Sequence, residues 1–318
     1  MKGKFCRRNF LQTVAISASG VALPAYVNAS GSHTEISKDE LAGELPKRRL
    51  GRTNLMVSCI GFGTGSRYCN WIAKDAILQK HIDYAINLGI NYFDAARSYG
   101  NGLAEERYGK FLTPKYRSLI ILTSKSQKRT YDGVMRDIET SLTTMKTDHL
   151  DLYFMHGIDH VEQADALLEP DGGYKAFLKL RDEGTVKNIA FSFHKWNEAS
   201  QKCLKEFDVD AVMCPINASL NSGCEEHLIP LALKRDIGII AMKVLGQNAL
   251  IGNVSGDDLV RFSLSLPIAL ANIGMDGFSP LQACVKIGRE PVLTDEEARK
   301  IHIKLDFDPK ITRLPYFS

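Results

Sequence analysis

The sequence predicts an α/β chain folded as a closed (β/α)8 barrel behind an N-terminal β-hairpin. Two observations carry this reading. Short apolar runs alternate eight times with stretches whose apolar residues recur at helical spacing, and such alternation fits a parallel sheet. The competitor, an open doubly wound sheet, needs a phosphate-binding loop straight after an early strand. The glycine-rich string there is GFGTGSR, with Gly61, Gly63 and Gly65; it is not G-x-G-x-x-G, and no helix begins within it.

The elements follow in order. RRLGRTNLMVSCIGFGTG gives a turn-bearing hairpin and a first buried strand over 57–64. A helix over 75–88 places Ile77, Ile82, Ala85 and Ile86 at helical spacing and ends at Gly89, a C-cap. A strand over 92–96, a helix over 104–112 stopped by Pro114, a strand over 119–125, a helix over 131–145 and a strand over 150–156 come next. A long loop over 157–173 precedes a helix over 174–183, which Gly184 stops. The second half repeats the pattern, with strands over 186–193, 211–216, 237–244 and 269–273 and helices over 197–207, 225–235, 259–266 and 280–287. A polar tail closes the chain.

At 318 residues the chain has room for one large barrel or two ordinary domains. Hydrophobic residues at 44% and charged residues at 24% exclude a disordered polymer. Residues 1–29 hold Lys2, Lys4, Arg7 and Arg8 and no acid, so removing these four charges from the net +3 leaves a body of −1. That body offers no electrostatic case for nucleic acid. The same 29 residues have a basic start, a modest apolar stretch and a small-residue end, and read as an export leader cleaved after Ala29 to leave Ser30 first. Arg7 and Arg8, followed by Asn9, Phe10 and Leu11, resemble the twin-arginine signal, which implies the twin-arginine export machinery as a partner and a periplasmic or otherwise exported location. Gly20 and Pro24 leave the apolar stretch too short and broken for a stable membrane span. Residues 30–46 read as a polar linker and 47–318 as the barrel. Of seven cysteines, Cys6 lies in the leader, and the other six show no paired spacing; Cys59, Cys214 and Cys284 sit in apolar runs and read as core. No C-x-x-C and no His/Cys cluster has metal-ligand spacing, so no metal site is expected.

Asp94, Tyr99, Lys125 and His156 lie at or just after the ends of three successive predicted strands, in NYFDAARSYG, LIILTSK and LDLYFMHG. In a barrel of this kind those ends converge on one face, where active sites are built. An acid, a phenol, an amine and an imidazole gathered there form a proton-transfer set. Reducing a carbonyl needs hydride at carbon and a proton at oxygen. A phenol near pKa 10 releases that proton more readily beside an ammonium, which a carboxylate can hold in place. Tyr99 is then the general acid, Lys125 its tuner, Asp94 the lysine's partner and His156 the group that orients the substrate oxygen. No side chain supplies hydride, so a cofactor must.

These residues carry a resemblance to the aldo-keto reductase family. FDAARSYGNGLAEE matches its Asp-x-x-x-x-Tyr-Gly signature, ILTSK its lysine strand and LYFMHG its histidine strand. RRLGRTNLMVSCIGFGTG resembles the family's opening, and VKNIAFSFH and GIIAMKVLG its fifth and seventh strands. The resemblance implies a (β/α)8 TIM barrel and NAD(P)H-dependent interconversion of a carbonyl (aldehyde, ketone or sugar) and an alcohol, with the four residues in the roles above. It also implies cofactor positions: Gly63 and Thr64 beside the nicotinamide ribose, Ser192 at the carboxamide, Asn217 after strand six, and Lys243, Leu245 and Gly246 toward the pyrophosphate. Phe193 stands where Asn is frequent, and Ile216 where a tyrosine ring is frequent. After strand eight, Gln282 stands where an arginine is common, Cys284 where an asparagine is common, and Asp276 where a basic residue often grips a 2′-phosphate. Arg binds phosphate bidentately, whereas Asp repels it and can accept a ribose hydroxyl, so tolerance of or preference for NAD(H) is expected.

Tyr68, Trp71, His194, Trp196, His160 and the terminal Pro315, Tyr316 and Phe317 are the expected walls of a pocket for a small-molecule substrate. Two other readings compete. One is a non-catalytic nicotinamide-nucleotide-binding or sensor protein on the same fold, as in potassium-channel β-subunits, which resemble this family. The other is a Schiff-base aldolase with Lys125 or Lys243 as nucleophile.

Overall fold

A computed structural model of the chain describes residues 44–252 and 254–306. The expected leader, nearly all of the expected linker, and Pro315, Tyr316 and Phe317 lie outside the described residues.

The hairpin pairs β1 (Lys47–Arg49) with β2 (Met56–Ser58) in antiparallel register, Lys47 opposite Ser58 and Arg49 opposite Met56. Eight parallel strands then close a barrel: β3 (Ile60–Gly63), β4 (Tyr92–Asp94), β5 (Ile121–Ser126), β6 (Leu152–Met155), β7 (Ile189–Ser192), β8 (Ala211–Pro215), β9 (Gly238–Met242) and β10 (Leu270–Gly274), with β10 pairing back onto β3. This is the (β/α)8 barrel with an N-terminal hairpin that the alternation predicts.

Because side chains alternate along a strand, each strand feeds two cores. Tyr92, Ile121, Leu152, Phe154, Ala190, Ala211, Met213, Ile240 and Leu270 fill the lumen, and Leu50 and Val57 of the hairpin join them as a plug. Residues one step along, such as Phe93, Leu122, Tyr153 and Phe191, pack outward under the helices. Two glycines make this packing possible. A Cβ on Gly61 would lie 2.4 Å from Leu270 Cδ1, inside the lumen, and one on Gly51, at φ +50°, would lie 2.2 Å from the Gly238 nitrogen where the hairpin seats on β9. The lumen is therefore apolar from the plug upward, and continuing the alternation brings Asp94, Lys125, Met213, Met242 and Asn272 to its C-terminal end.

Several elements differ from the sequence reading. A short helix, Ser66–Asn70, begins within GFGTGSR, where none was expected, and another, Thr113–Tyr116, carries Pro114 in its first turn. The long loop contains a helix, Val161–Leu168, that buries Ala164 and Leu167 and starts at His160, where Gln163 Oε1 accepts the His160 N–H at 3.1 Å. The tail contains a helix, Asp295–Asp306, that buries Ala298, Ile301, His302 and Leu305. Its start carries a capping box: Glu297 Oε2 accepts the Thr294 N–H at 2.8 Å, and Thr294 Oγ1 accepts the Glu297 N–H at 3.3 Å. The helix expected over 225–235 is a π-turn, Cys224–Leu228, followed by Ile229–Lys234; Pro230 lacks the N–H that would bond back into the preceding turn. Leu45, in the stretch read as linker, is buried against the barrel. Among the described residues no helix is long and apolar enough to cross a membrane.

Candidate active site

At the C-terminal end of the lumen the apolar filling gives way to a polar layer. Asp94, the last residue of β4, is buried and receives three donors. The Lys125 ammonium and Thr123 Oγ1 (3.0 Å), both on β5, donate to its Oδ1, and Asn272 Nδ2 on β10 donates to Oδ2 at 3.0 Å. Lys125 is as deeply buried as its partner and also donates to the Ala95 carbonyl at 2.7 Å. Burial pulls its pKa below the ordinary lysine value, while Asp94 opposes the drop. The charge is enclosed by rings: Nζ lies 4.8 Å from the centre of the Tyr99 ring and 5.3 Å from that of Phe154.

Tyr99 and His156 meet edge to face, ring centres 5.6 Å apart, above the lysine. Burial, reinforced by the Asp94 charge, holds the Tyr99 phenol well above the ordinary tyrosine value. The Lys125 ammonium faces the plane of this ring. Burial, with help from the neighbouring Lys125, His194 and Arg129 side chains, pushes His156 down to about 3, so it is a neutral imidazole at physiological pH. Its Nδ1 lies 3.4 Å from Ser98 Oγ.

A cavity of about 860 Å³ opens onto this layer, and Asp94, Tyr99, Lys125 and His156 all line it. Of the expected cofactor positions, Gly63, Ser192, Lys243, Leu245 and Asp276 are on its wall. Ser192 Oγ accepts the Gly157 N–H at 3.0 Å. Lys243 stands at φ +54° on the turn after β9, where Gly246, Gln247 and Asn248 also have positive φ. Asp276 is ion-paired with Arg67 at 3.3 Å.

Four expected positions lie behind the wall. Thr64 is buried and its Oγ1 donates to the Asp94 carbonyl at 2.5 Å, so it braces the carboxylate's own strand. Asn217 is buried and organises its loop, accepting the Ser219 hydroxyl at 2.6 Å and donating to the Lys243 carbonyl at 3.2 Å. Gly246 is buried beneath the turn and its N–H reaches the Lys243 carbonyl at 2.8 Å. Gln282 Nε2 donates to the Tyr84 hydroxyl at 2.7 Å.

Of the expected substrate walls, Trp71 and His194 line the cavity. Tyr68 is core, edge-on to Phe62, and Trp196 packs on Phe193 and His227. Asn272 and Arg67 were missed. Asn272 had a signal, an amide two residues after Leu270 in an otherwise apolar strand; Arg67 had none. Among the described residues no cluster of His, Cys, Asp and Glu could hold a metal ion, and the six cysteines there are free.

Residues 59–263 match the aldo/keto reductase family. Pyridoxal 4-dehydrogenase of Microbacterium luteolum is 28% identical over 257 residues, which cover 66% of this chain and 74% of that protein. L-galactose dehydrogenase of Arabidopsis thaliana is 26% identical over 216 residues, covering 64% of this chain and 66% of that protein. An aldo-keto reductase from Klebsiella pneumoniae, solved in complex with NADPH, has the same fold: TM-score 0.68 at 21% identity, over 85% of this chain and 98% of that one. The family match runs from just before the first barrel strand into the helix that precedes the last, and the chain belongs to the aldo/keto reductase family and is an oxidoreductase of that type.

Proposed function

We propose that the protein transfers hydride between NAD(P)H and a small carbonyl compound, or the reverse from its alcohol, with Tyr99 as general acid and base. The observation that carries this is the polar layer: a buried ammonium clamped to a buried carboxylate, directly under a phenol and an imidazole, on the wall of one cavity. The cavity's size and lining suit an extended anionic cofactor, with Lys243 and Arg67 as cations and Ser192 as a polar contact. At Gly63 a Cβ would come within 3.0 Å of the Ile273 carbonyl, so the wall there stays bare backbone. The bound cofactor supplies the hydride that no side chain can.

The residues manage the proton. A phenol held well above its ordinary pKa is fully protonated, and it gives up its proton only to a strong base such as the alkoxide that forms as the carbonyl is reduced. Lys125, held in place by Asp94, keeps an ammonium beneath the ring, and that charge favours the phenolate left behind. His156, neutral, carries one ring N–H that can hold the substrate oxygen in reach of Tyr99. Tyr99→Phe removes one hydroxyl and keeps the ring, so carbonyl reduction should fall by about 10²–10⁴-fold. Activity within about threefold of the parent would show that Tyr99 is not the acid.

The cofactor part of the proposal extends to NAD(H) tolerance or preference. Gln282 is engaged with Tyr84, and a 2′-phosphate would meet Asp276 while competing with it for Arg67. Titrating both cofactors tests this; NADP(H) bound more than about tenfold tighter than NAD(H) sinks it. The substrate class suggested by the two named relatives is an aldehyde or sugar. The leader reading is a proposal too: twin-arginine export to the periplasm, with Ser30 as the mature N-terminus. Cell fractionation of the parent and of the paired change Arg7→Lys and Arg8→Lys tests it, since full-length protein confined to the cytoplasm in the parent overturns it.

A further inference from the structure

The imidazole of His156 has few side-chain contacts to hold it. Its Nδ1 lies 3.4 Å from Ser98 Oγ, and the ring meets Tyr99 edge to face. Its place is set largely by its backbone, in the turn that follows β6. The donors of that turn are met from both neighbouring strands: the His156 N–H donates to the Ser126 carbonyl at 2.9 Å, the Gly157 N–H to Ser192 Oγ at 3.0 Å and the Ile158 N–H to the Ser192 carbonyl at 2.8 Å. Its acceptors are met by one side chain. Arg129 Nη2 donates to the His156 carbonyl at 2.8 Å and to the Gly157 carbonyl at 2.9 Å. With Gly157 at φ +64°, two successive carbonyls converge on that one nitrogen.

Arg129 comes from the loop after β5, and that loop is anchored in turn: the Arg129 carbonyl accepts the Gly173 N–H at 2.6 Å, and Thr130 Oγ1 caps the next helix by accepting the Gly133 N–H at 3.3 Å. The guanidinium is partly buried, and Nη1 is enclosed with no hydrogen-bond partner. Burying such a group is costly, and the side-chain hydrogen bonds that offset the cost among the described residues are both made to this turn. Arg129 stands behind the cavity wall, so it reaches the site through the His156 backbone. We propose that Arg129 is a positioning residue: by clamping the His156 and Gly157 carbonyls it holds the imidazole beside Tyr99, where the substrate oxygen binds. This rests on the oxidoreductase reading above and adds a residue to it. Arginine suits the task because its donors sit on a rigid planar fork, whereas lysine offers a point charge on a flexible stem. Releasing the turn lets the ring move, and a misplacement of about 1 Å can cost about 10²-fold in rate.

The test is a double-mutant cycle on the reduction of small aldehydes, combining Arg129→Gln with His156→Gln. Arg129→Gln alone should lower kcat by at least about tenfold and leave the cofactor Kd within about twofold of the parent. In the His156→Gln background the same change should cost less than about twofold, because the ring that Arg129 places is gone. A merely structural loss lowers both backgrounds alike. Arg129→Lys, which keeps the charge and loses the fork, should fall between the parent and Arg129→Gln. A kcat of Arg129→Gln within about twofold of the parent, or an equal fall in both backgrounds, overturns the proposal. The imidazole gives a second readout that needs no turnover. Its ring-proton NMR resonance, assigned by its loss in His156→Gln, is shifted by the Tyr99 ring and should move in Arg129→Gln or, if that variant does not fold, in Arg129→Lys; an unmoved resonance overturns the proposal. A parent that reduces none of the aldehydes counts against the oxidoreductase reading, and the resonance still decides whether Arg129 places the ring.

Discussion

The cavity has two unlike halves. One is built on the ends of β4, β5 and β6, where Asp94, Lys125 and His156 stand on or next to paired strands and Asp94 and Lys125 are almost fully enclosed. The other is built on turns after β3, β9 and β10, where Arg67, Lys243 and Asp276 are partly exposed and four residues after β9 take positive φ. A strand end is positioned by the sheet and the lumen packing beneath it; a turn is positioned by its own local bonds. The first half is therefore rigid and intolerant of change, and the second half is free to vary its ligand contacts without disturbing the barrel.

The largest effect should come from unpairing the buried ions. Lys125→Met leaves Asp94 as an uncompensated carboxylate in the lumen, and urea unfolding should read a loss of about 3–5 kcal/mol together with loss of activity. Stability kept within about 1 kcal/mol would mean the pair is not the keystone of this half. Asn272→Ala removes one of three donors to the same carboxylate, so a smaller loss of about 1–3 kcal/mol is expected, with a fall in kcat rather than in cofactor affinity. A rise in the cofactor Kd with kcat unchanged would instead place Asn272 in the loop half.

Acid should weaken the fold next. His81 lies among Phe62, Trp71 and Phe278, with only Nε2 bonded, to the Gly277 carbonyl at 2.9 Å, and Nδ1 buried without a partner. Burial lowers it to about 4 and lowers His156 to about 3, both from 6.5. Their folded values lie below the unfolded one, so the unfolded chain binds more protons; the stability they contribute is full above about pH 6.5 and is lost as pH falls toward 4 and 3. Urea midpoints should drop between pH 6.5 and 5, before carboxylates titrate, and a flat midpoint there contradicts the two buried neutral rings. The smallest effect should be Gln282→Ala: with its amide on Tyr84, both cofactor Kd values should stay within about twofold, and a larger shift for NADP(H) alone would return Gln282 to the phosphate end.

The same contrast explains what could be read in advance. Barrel strands buried on both faces made continuous apolar runs legible in the sequence, and Asp94, Tyr99, Lys125 and His156 were legible because each follows or ends such a run. The helices Val161–Leu168 and Asp295–Asp306 were overlooked although local signals were present, Gln163 after His160 and Glu297 after Thr294. Thr64, Asn217 and Gln282 were placed near the cofactor by chain position, but their hydrogen bonds turn them to Asp94, to the strand-eight loop and to Tyr84. Which way a loop side chain faces depends on partners far away in sequence, and no local pattern encodes them.

The sequence by itself determined the order of strands and helices, the (β/α)8 class and the placing of Asp94, Tyr99, Lys125 and His156 at the ends of successive strands, because apolar runs and helical spacing are local properties. Tertiary structure alone decided that Asn272, 178 residues from Asp94, would share its carboxylate, that Arg67 would cover Asp276, and that His194 would meet Asp159 at 2.8 Å. The physical reason is that barrel closure brings the last strand against the first and gathers all eight C-terminal loops onto one face, so polar groups find partners set by the circle of strands and not by distance along the chain.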